Sequence, residues 1–290
     1  MDIVAIDIGG TSIKLAISDE NGQLKKFWEI DTEAQKGGRF IVQKIIDELS
    51  KINHFDKIGI STAGQVDPIR GTIIYANPNI PNYTGTPLKE IFEKTFKVPV
   101  KVENDVNAAA LGEKHYGAAK ELRDFLCLTY GTGIGGAIFQ QHQLYRGNDG
   151  IAAEFGHLLM HLDQQKPVYY EHLASTGALV RQAAQIDSRA VNGRWIYEQV
   201  IAGNEEMIAV LERWLDYVAQ GLASLVHCFN PAAFVLGGGI MEQTEIVKRL
   251  EVKVKAIVMP SFAKFSMINA SLGNKAGILG AVSLHTKQLS

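Results

Sequence analysis

The chain has 290 residues, of which 46% are hydrophobic and 21% charged, a composition that suits a globular protein with one large or two medium cores. A formal charge of −2 argues against a dedicated nucleic-acid surface or a polybasic membrane patch. No apolar run reaches the length of a membrane span, and no basic segment followed by an apolar stretch marks a secretory leader, so a cytoplasmic location is expected.

Ile3-Val4-Ala5-Ile6 is a short strand-like run, followed by Asp7-Ile8-Gly9-Gly10-Thr11 and a second run, Ile13-Lys14-Leu15-Ala16-Ile17. Two such runs around a glycine pair predict a β-hairpin. The glycines permit a positive φ and a close approach of another group to the main chain. Thr11 adds a hydroxyl, and Asp7, at the strand's end, a carboxylate able to hold a hydrated magnesium ion. Together these groups would form a phosphate cradle; taken alone, the stretch is better explained as a bare turn. The turn Asp19-Glu20-Asn21-Gly22 leads to a third strand over 24–30, making an antiparallel meander. Phe40, Ile41, Ile45, Ile46 and Leu49 follow a helical period over 39–50. Residues 57–61 read as a strand and 62–65 as a loop. Residues 75–87, rich in Asn, Pro and Gly, form a loop of the kind that carries ligand contacts. A strand over 98–102 runs into Glu103-Asn104-Asp105, where a helix starts, capped by Asp105 or Asn107. A carboxylate between a strand's C-terminal end and a helix start lies where open α/β sheets bind ligands. A plain capping role for Asp105 explains the motif equally well.

The opening pattern then returns. Residues 125–130 form a strand, Gly131-Thr132-Gly133-Ile134-Gly135-Gly136 a turn, and 137–139 a second strand. One glycine-threonine hairpin is weak evidence of function; two, one on each side of a division near residue 120, favour a two-part clamp for a polyphosphate. Glu154-Phe155-Gly156-His157 places a carboxylate and an imidazole close together, and Glu171-His172 precede a helix. Ile208, Leu211, Leu215, Val218, Leu222, Leu225 and Phe229 make one face of a long helix over 205–229 that Asn230-Pro231 stop. A buried strand over 233–236 meets Gly237-Gly238-Gly239 ahead of a helix carrying Ile246, Val247 and Leu250, an arrangement that admits a flat ring or a phosphate to the backbone. A strand over 267–270 and a helix over 275–285 finish the chain. Cys127 and Cys228 lie in apolar runs and read as small buried hydrophobes.

With Asp7-Ile8-Gly9-Gly10-Thr11, Glu103-Asn104-Asp105-Val106-Asn107-Ala108, the turn at 131–136, Glu154-Phe155-Gly156-His157 and Gly237-Gly238-Gly239 in this order, the chain resembles the ROK family of sugar kinases from end to end. The resemblance implies an α/β actin-like ATPase (ribonuclease H-like) fold with two lobes around a central cleft. The N-terminal lobe, 1–120, would bind sugar and phosphate and be joined by the C-terminal helix at 275–290. The C-terminal lobe, 121–274, would bind the nucleotide. The implied activity is ATP-dependent phosphorylation of the 6-hydroxyl of a hexose or hexose derivative (N-acetylmannosamine, glucose or a β-glucoside). Asp105 would be the catalytic base. Asn79, Asn104, Glu154, His157 and Glu171 would join it at the sugar. Gly9, Gly10, Thr11, Thr132 and Gly133 would form the two phosphate turns, with Lys14 also on the cofactor and Gly238 and Gly239 on the adenosine side. Asp7 would hold Mg2+ through water. No nucleic-acid or membrane partner is implied, and a homodimer is expected.

The sequence departs from the family at one place. Many members carry a zinc segment, Cys-x-Cys-Gly-x-x-Gly-Cys-x-Glu, after the Glu-x-Gly-His motif. Here the interval 158–170 is shorter, lacks cysteine, and puts Tyr169 where the last zinc-binding cysteine would stand. His157 and His161 cannot supply four ligands, so no zinc is expected, and His157 is expected to be held by hydrogen bonds. The zinc-lacking pattern resembles bacterial β-glucoside kinases and some N-acetylmannosamine kinases. The alternative is a non-catalytic sugar-sensing regulator of the same family, against which the intact Asp105 and both turns argue. Repressor members carry an N-terminal helix-turn-helix; because the chain starts at the first hairpin strand, no DNA-reading module is expected.

Overall fold

The computed structural model describes residues 1–164 and 166–286; Gln165 and residues 287–290, the end of the expected lobe-joining segment, lie outside the described residues. The chain divides into two compact units, one holding 1–120, 146–152 and the residues from 274 onward, the other 121–145 and 153–273.

In the first unit, β1 (Ile3–Ile8), β2 (Ser12–Ser18) and β3 (Leu24–Asp31) form the antiparallel meander. Helix α1 (Gly38–Leu49) buries Ile41, Val42, Ile45 and Leu49. Phe40 and Ile46 are only half-buried; Phe40 instead lies under the ammonium groups of Lys36 and Lys44, at 4.6 and 5.8 Å. Strand β4 (Lys57–Thr62) precedes a two-stranded ribbon, β5 (Gln65–Asp67) and β6 (Thr72–Tyr75), so the loop expected over 62–65 shrinks to Ala63 and Gly64. Helix α2 (Leu88–Phe96) buries only Leu88 and Phe92, which leaves little period to read in the sequence. Strand β7 (Val100–Asn104) feeds directly into α3 (Asp105–Tyr116). The sheet order is β3-β2-β1-β4-β7. Because β1, β4 and β7 run parallel, Asp7 stands opposite Ser61, and Thr62 opposite Asn104. Register alone therefore gathers these groups at one edge.

The second unit repeats the plan. Strands β8 (Phe125–Tyr130), β9 (Ile134–Gln140) and β10 (Gln143–Tyr145) form a second meander. The cysteine-free interval folds as an antiparallel pair, β11 (Leu159–Asp163) and β12 (Lys166–Tyr169). Helices α4 (Tyr170–Ala174), α5 (Thr176–Ala184), α6 (Gly193–Ile201) and α7 (Glu205–Phe229) follow, so Glu171 and His172 lie within a helix instead of ahead of one. Helix α7 buries Leu211, Leu215, Val218, Leu222 and Leu225, while Cys228 falls on its solvent face and is exposed; only Cys127 is a buried hydrophobe. Strand β13 (Ala233–Gly237), a 3-10 turn at Gly239–Glu242, helix α8 (Thr244–Ile257) and strand β14 (Ser266–Asn269) complete the unit. Its sheet order, β10-β9-β8-β13-β14, reproduces the first sheet with the same parallel and antiparallel pairings. No helix among the described residues is long and apolar enough to cross a membrane.

The last helix, α9 (Ala276–Ser283), belongs to the first unit and packs Ile278, Ala281 and Val282 against Ile3, Ala5 and Ala16. Its approach is closest where side chains are missing. A Cβ on Gly59 would overlap the backbone of Ala281, and one on Gly280 the backbone of Ala108. Gly280→Ala should therefore destabilise the protein by about 1–3 kcal/mol, read as a lower urea midpoint; an unchanged midpoint would show that α9 tolerates a wider spacing.

Candidate functional site

Each unit carries part of the predicted residue set. In the first, the turn Gly9-Gly10-Thr11 follows β1, closed by Gly9 N donating to Ser12 O at 3.0 Å. The buried Thr32, just past β3, pins it from behind: its hydroxyl donates to Gly9 O at 2.7 Å and its amide to Thr11 O at 2.9 Å. Neither Gly9 nor Gly10 has a positive φ, nor do the glycines at 131–136, so backbone handedness does not explain them. Open space explains Gly10 and Gly131, where an added Cβ would meet nothing within 4 Å. Thr11 and Thr132 are exposed at the two turn tips.

Asp7 is held at both oxygens. Ser61 Oγ donates to Oδ1 at 2.7 Å, and Lys14 Nζ lies 3.6 Å from Oδ2. A Cβ on Gly277 of α9 would stand 2.7 Å from the same carboxylate. Asp7 thus has an ordered, charge-balanced setting that suits a hydrated cation in an outer shell better than direct ligation.

Asn104, not Asp105 or Asn107, caps α3. Its Oδ1 accepts from Val106 N at 2.9 Å and Asn107 N at 3.1 Å, while its Nδ2 donates to Gly64 O at 3.0 Å and Asp105 Oδ1 at 2.8 Å. Asp105 is the first helical residue, and Val106 N also donates to its Oδ1 at 2.9 Å. The Asp105 carboxyl is pushed up to about 6, first by withdrawal from water and then by the negative charge of Asp7; the donors at Val106 and Asn104 oppose the shift. The loop expected over 75–87 lies between β6 and α2, anchored by the buried Tyr83, whose hydroxyl bonds Thr62 Oγ1 at 2.7 Å. Asn79 sits exposed on that loop, its amide donating to Asn77 Oδ1 at 3.1 Å.

In the second unit, Thr132 and Gly133 form the turn between β8 and β9, and the start of α5 holds it. Thr176 Oγ1 donates to Tyr130 O at 2.9 Å and Gly177 N to Gly131 O at 3.0 Å. Glu171 of α4 reaches the same turn: Ile134 N donates to its Oε2 at 3.2 Å. That oxygen occupies the space left by two glycines, since a Cβ would approach it to 2.6 Å from Gly133 and 2.8 Å from Gly156. The carboxylate therefore ties the turn to the Glu154–His157 motif. Glu154 and His157 are largely exposed, with Nδ1 and Oε2 at 3.8 Å, beyond hydrogen-bond length. His157 lies against the Tyr169 ring, with centroids 5.4 Å apart. Gly238, at φ 109°, packs on the backbone of Tyr130 where any side chain would overlap, so its first reason is steric; Gly239 is open. Among the described residues no cluster of three or more His, Cys, Asp or Glu side chains is arranged to hold a metal ion.

Sequence patterns give no hint of several supporting groups: Ser61 on Asp7, Thr32 behind the first turn, and a buried Glu103 bonded to Arg146. Each joins residues distant in the chain; Ser61 and Thr32 lie outside every motif, and Glu103, although it opens the motif at 103–108, gives no hint of its partner 43 residues away.

The profile of the ROK family matches residues 3–288. A β-glucoside kinase of Klebsiella pneumoniae is 32% identical, with 100% of this chain and 97% of that protein covered. A solved structure of a ROK family glucokinase from Streptomyces griseus, in complex with glucose and AMPPNP, is 31% identical at a TM-score of 0.83, covering 98% of this chain and 99% of that one. A candidate N-acetylmannosamine kinase from Listeria monocytogenes superposes with a TM-score of 0.89 at 29% identity, covering 97% of each chain. The fold class these structures share is the actin-like ATPase fold.

The carboxyl of Asp105 should titrate at about 6 instead of near 3.8. In Asp7→Asn, which removes the neighbouring negative charge, its midpoint should fall. Carbon-13 NMR of labelled aspartate carboxyls follows both; an ordinary midpoint in the unmodified protein contradicts the desolvated setting.

Proposed function

The chain belongs to the ROK family, and from that membership we propose that it is an ATP-dependent kinase. In this reading it transfers the γ-phosphoryl group to the 6-hydroxyl of a hexose or hexose derivative such as glucose, a β-glucoside or N-acetylmannosamine. The observation that carries the reading is Asp105: a desolvated carboxylate at the C-terminal end of β7, in the parallel part of the sheet, with Asn104 Nδ2 and Val106 N both donating to Oδ1. The Asp105 carboxylate is then the group that accepts the sugar proton as the hydroxyl attacks phosphorus. A base near pH 6 is largely ionised at neutral pH, yet holds a proton far better than an ordinary aspartate. Such a base supplies about 10²–10⁴-fold; positioning and charge neutralisation supply most of the rest.

The exposed tips Gly10-Thr11 and Gly131-Thr132 suit phosphate oxygens, because nothing crowds the backbone at Gly10 or Gly131. In the same proposal Gly9, Gly133 and Lys14 support the phosphate end, and Gly238 and Gly239 face the adenosine. Asn79, Asn104, Glu154, His157 and Glu171 share the sugar hydroxyls. Glu171 accepts from Ile134 N at one oxygen and keeps capacity to orient the sugar, whereas the four side-chain positions of Asn104 are all filled within the protein, so a sugar hydroxyl would replace one of those bonds. Magnesium, when bound, neutralises the phosphate charge, and Asp7 with its Ser61 and Lys14 partners would order its water shell. A homodimer in the cytoplasm completes the reading.

Asp105→Asn should lower kcat by about 10²–10⁴-fold while isothermal titration still detects sugar and ATP; near-normal turnover would remove Asp105 from the base role. In the unmodified enzyme kcat/KM for the sugar should fall about tenfold per pH unit below about 6, the acid side of the Asp105 carboxyl. A coupled ADP-release assay over a sugar panel identifies the acceptor and separates the kinase from a non-catalytic sugar sensor, which would release no sugar-dependent ADP. Chelator-washed protein given only Mg2+ should regain full activity; a requirement for added zinc would contradict the zinc-free reading.

A further inference from the structure

One buried ion pair lies directly behind the proposed base. Glu103, the residue before Asn104, is 1% exposed. Its Oε2 accepts from Arg146 Nε at 3.0 Å and Nη2 at 2.8 Å, and its Oε1 from Asn104 N and Asn107 Nδ2, both at 3.1 Å. One carboxylate therefore spans from the first turn of α3 to Arg146. Arg146 opens the segment 146–152, which follows β10 in the chain but belongs to the first unit. That segment closes on itself through Ala152 N donating to Arg146 O at 3.2 Å, and it turns at Gly147 and Gly150 with φ of 69° and 86°. It also packs against β5: a Cβ on Gly150 would stand 2.8 Å from Pro68 Cδ and 3.1 Å from Val66 O. Strand β5 starts beside Gly64, whose carbonyl accepts from Asn104 Nδ2 at 3.0 Å. Asn104 is thus braced by its side chain at Gly64 and by its backbone amide at Glu103, and the segment 146–152 touches Glu103 and the strand that follows Gly64.

We propose that Glu103 and Arg146 are positioning residues for the phosphoryl transfer. With two guanidinium donors converging on Oε2 and two donors of α3's first turn on Oε1, the pair ties that turn to the docked segment 146–152 and so fixes the aim of the Asp105 carboxylate. This rests on the kinase reading above. Burying a charged pair is not an efficient route to stability, since an apolar pair of similar volume does as well or better. What the pair adds is direction: a planar guanidinium fork on a carboxylate sets both distance and angle. Proton transfer needs that direction, because a base must be held within about 0.5 Å of its productive position.

The test compares kcat, KM and thermal midpoint for the unmodified chain, Arg146→Met, and the double variant Glu103→Gln with Arg146→Met, all assayed well below the lowest midpoint. Arg146→Met strands a buried carboxylate, so its midpoint should fall and its kcat drop by about tenfold to a hundredfold, with KM for ATP changed by less than about twofold. The double variant removes the stranded charge, while the glutamine oxygen can still accept from Asn104 N and Asn107 Nδ2. Its midpoint should rise back toward that of the unmodified chain, but kcat should stay at least about tenfold low because the tie to 146–152 is gone. Recovery of kcat in the double variant would overturn the proposal and leave the pair a structural charge balance. Absence of sugar-dependent ADP release by the unmodified chain would instead sink the kinase reading, and the positioning role with it.

Discussion

The side-chain amide of Asn104 is the constraint on which the first unit's site depends. A strand and a helix meet there with no intervening loop, and a junction that short leaves the first helical amides without partners. Asn104 Oδ1 satisfies Val106 N and Asn107 N, which fixes where α3 begins. The same amide's nitrogen donates to Gly64 O and to Asp105 Oδ1, so one planar group sets the helix start, its distance from the neighbouring strand, and the rotamer of the next carboxylate. Removing the cap would free both the helix and the acid. The raised proton affinity of Asp105 follows first from its withdrawal from water and then from the charge of Asp7, which the parallel register of β1, β4 and β7 brings to the same sheet edge.

The two glycine-threonine turns repeat one plan on different supports. Both leave an open main chain and an exposed threonine. The first is held by Thr32 at the end of the adjoining strand; the second is held by the N-terminus of α5 and by Glu171. Glycine is retained for different reasons across the turns. At Gly10 and Gly131 an added Cβ would meet nothing within 4 Å, whereas at Gly133 and Gly156 it would meet the Glu171 carboxylate.

What could be read from the sequence was what local pattern encodes. The hairpins announced themselves as β-rich runs around glycine pairs, and α7 by seven apolar residues at helical spacing over 205–229. The carboxylate at the end of β7 is visible in the sequence, but the cap is Asn104 and not the expected Asp105 or Asn107, since Asn and Asp are both good caps and only geometry decides among near neighbours. Cys228 was misjudged because it lies in an apolar helix, and only the helix phase shows that it faces away from the core. The ribbon β5–β6 is too short to give a period, and α2 buries too little. Glu103 and Arg146 were beyond reach: they are 43 residues apart in sequence, and the segment that joins them carries no motif that marks its return to the first unit. The resemblance to a family supplied roles that pattern alone left open, and the structure then supplied the partners that hold those residues in place.

The claim at the centre of this account is that one carboxylate takes the proton of a sugar hydroxyl while the two turns hold the phosphates of one nucleotide. A crystal structure with a phosphorylatable sugar and a non-hydrolysable ATP analogue tests it most directly. The account predicts the acceptor hydroxyl at about 2.6–3.2 Å from the Asp105 carboxylate, with phosphate oxygens at both the Gly9-Gly10-Thr11 and Thr132-Gly133 turns. A sugar bound with its reacting hydroxyl away from Asp105, or a nucleotide whose phosphates touch neither turn, would contradict it.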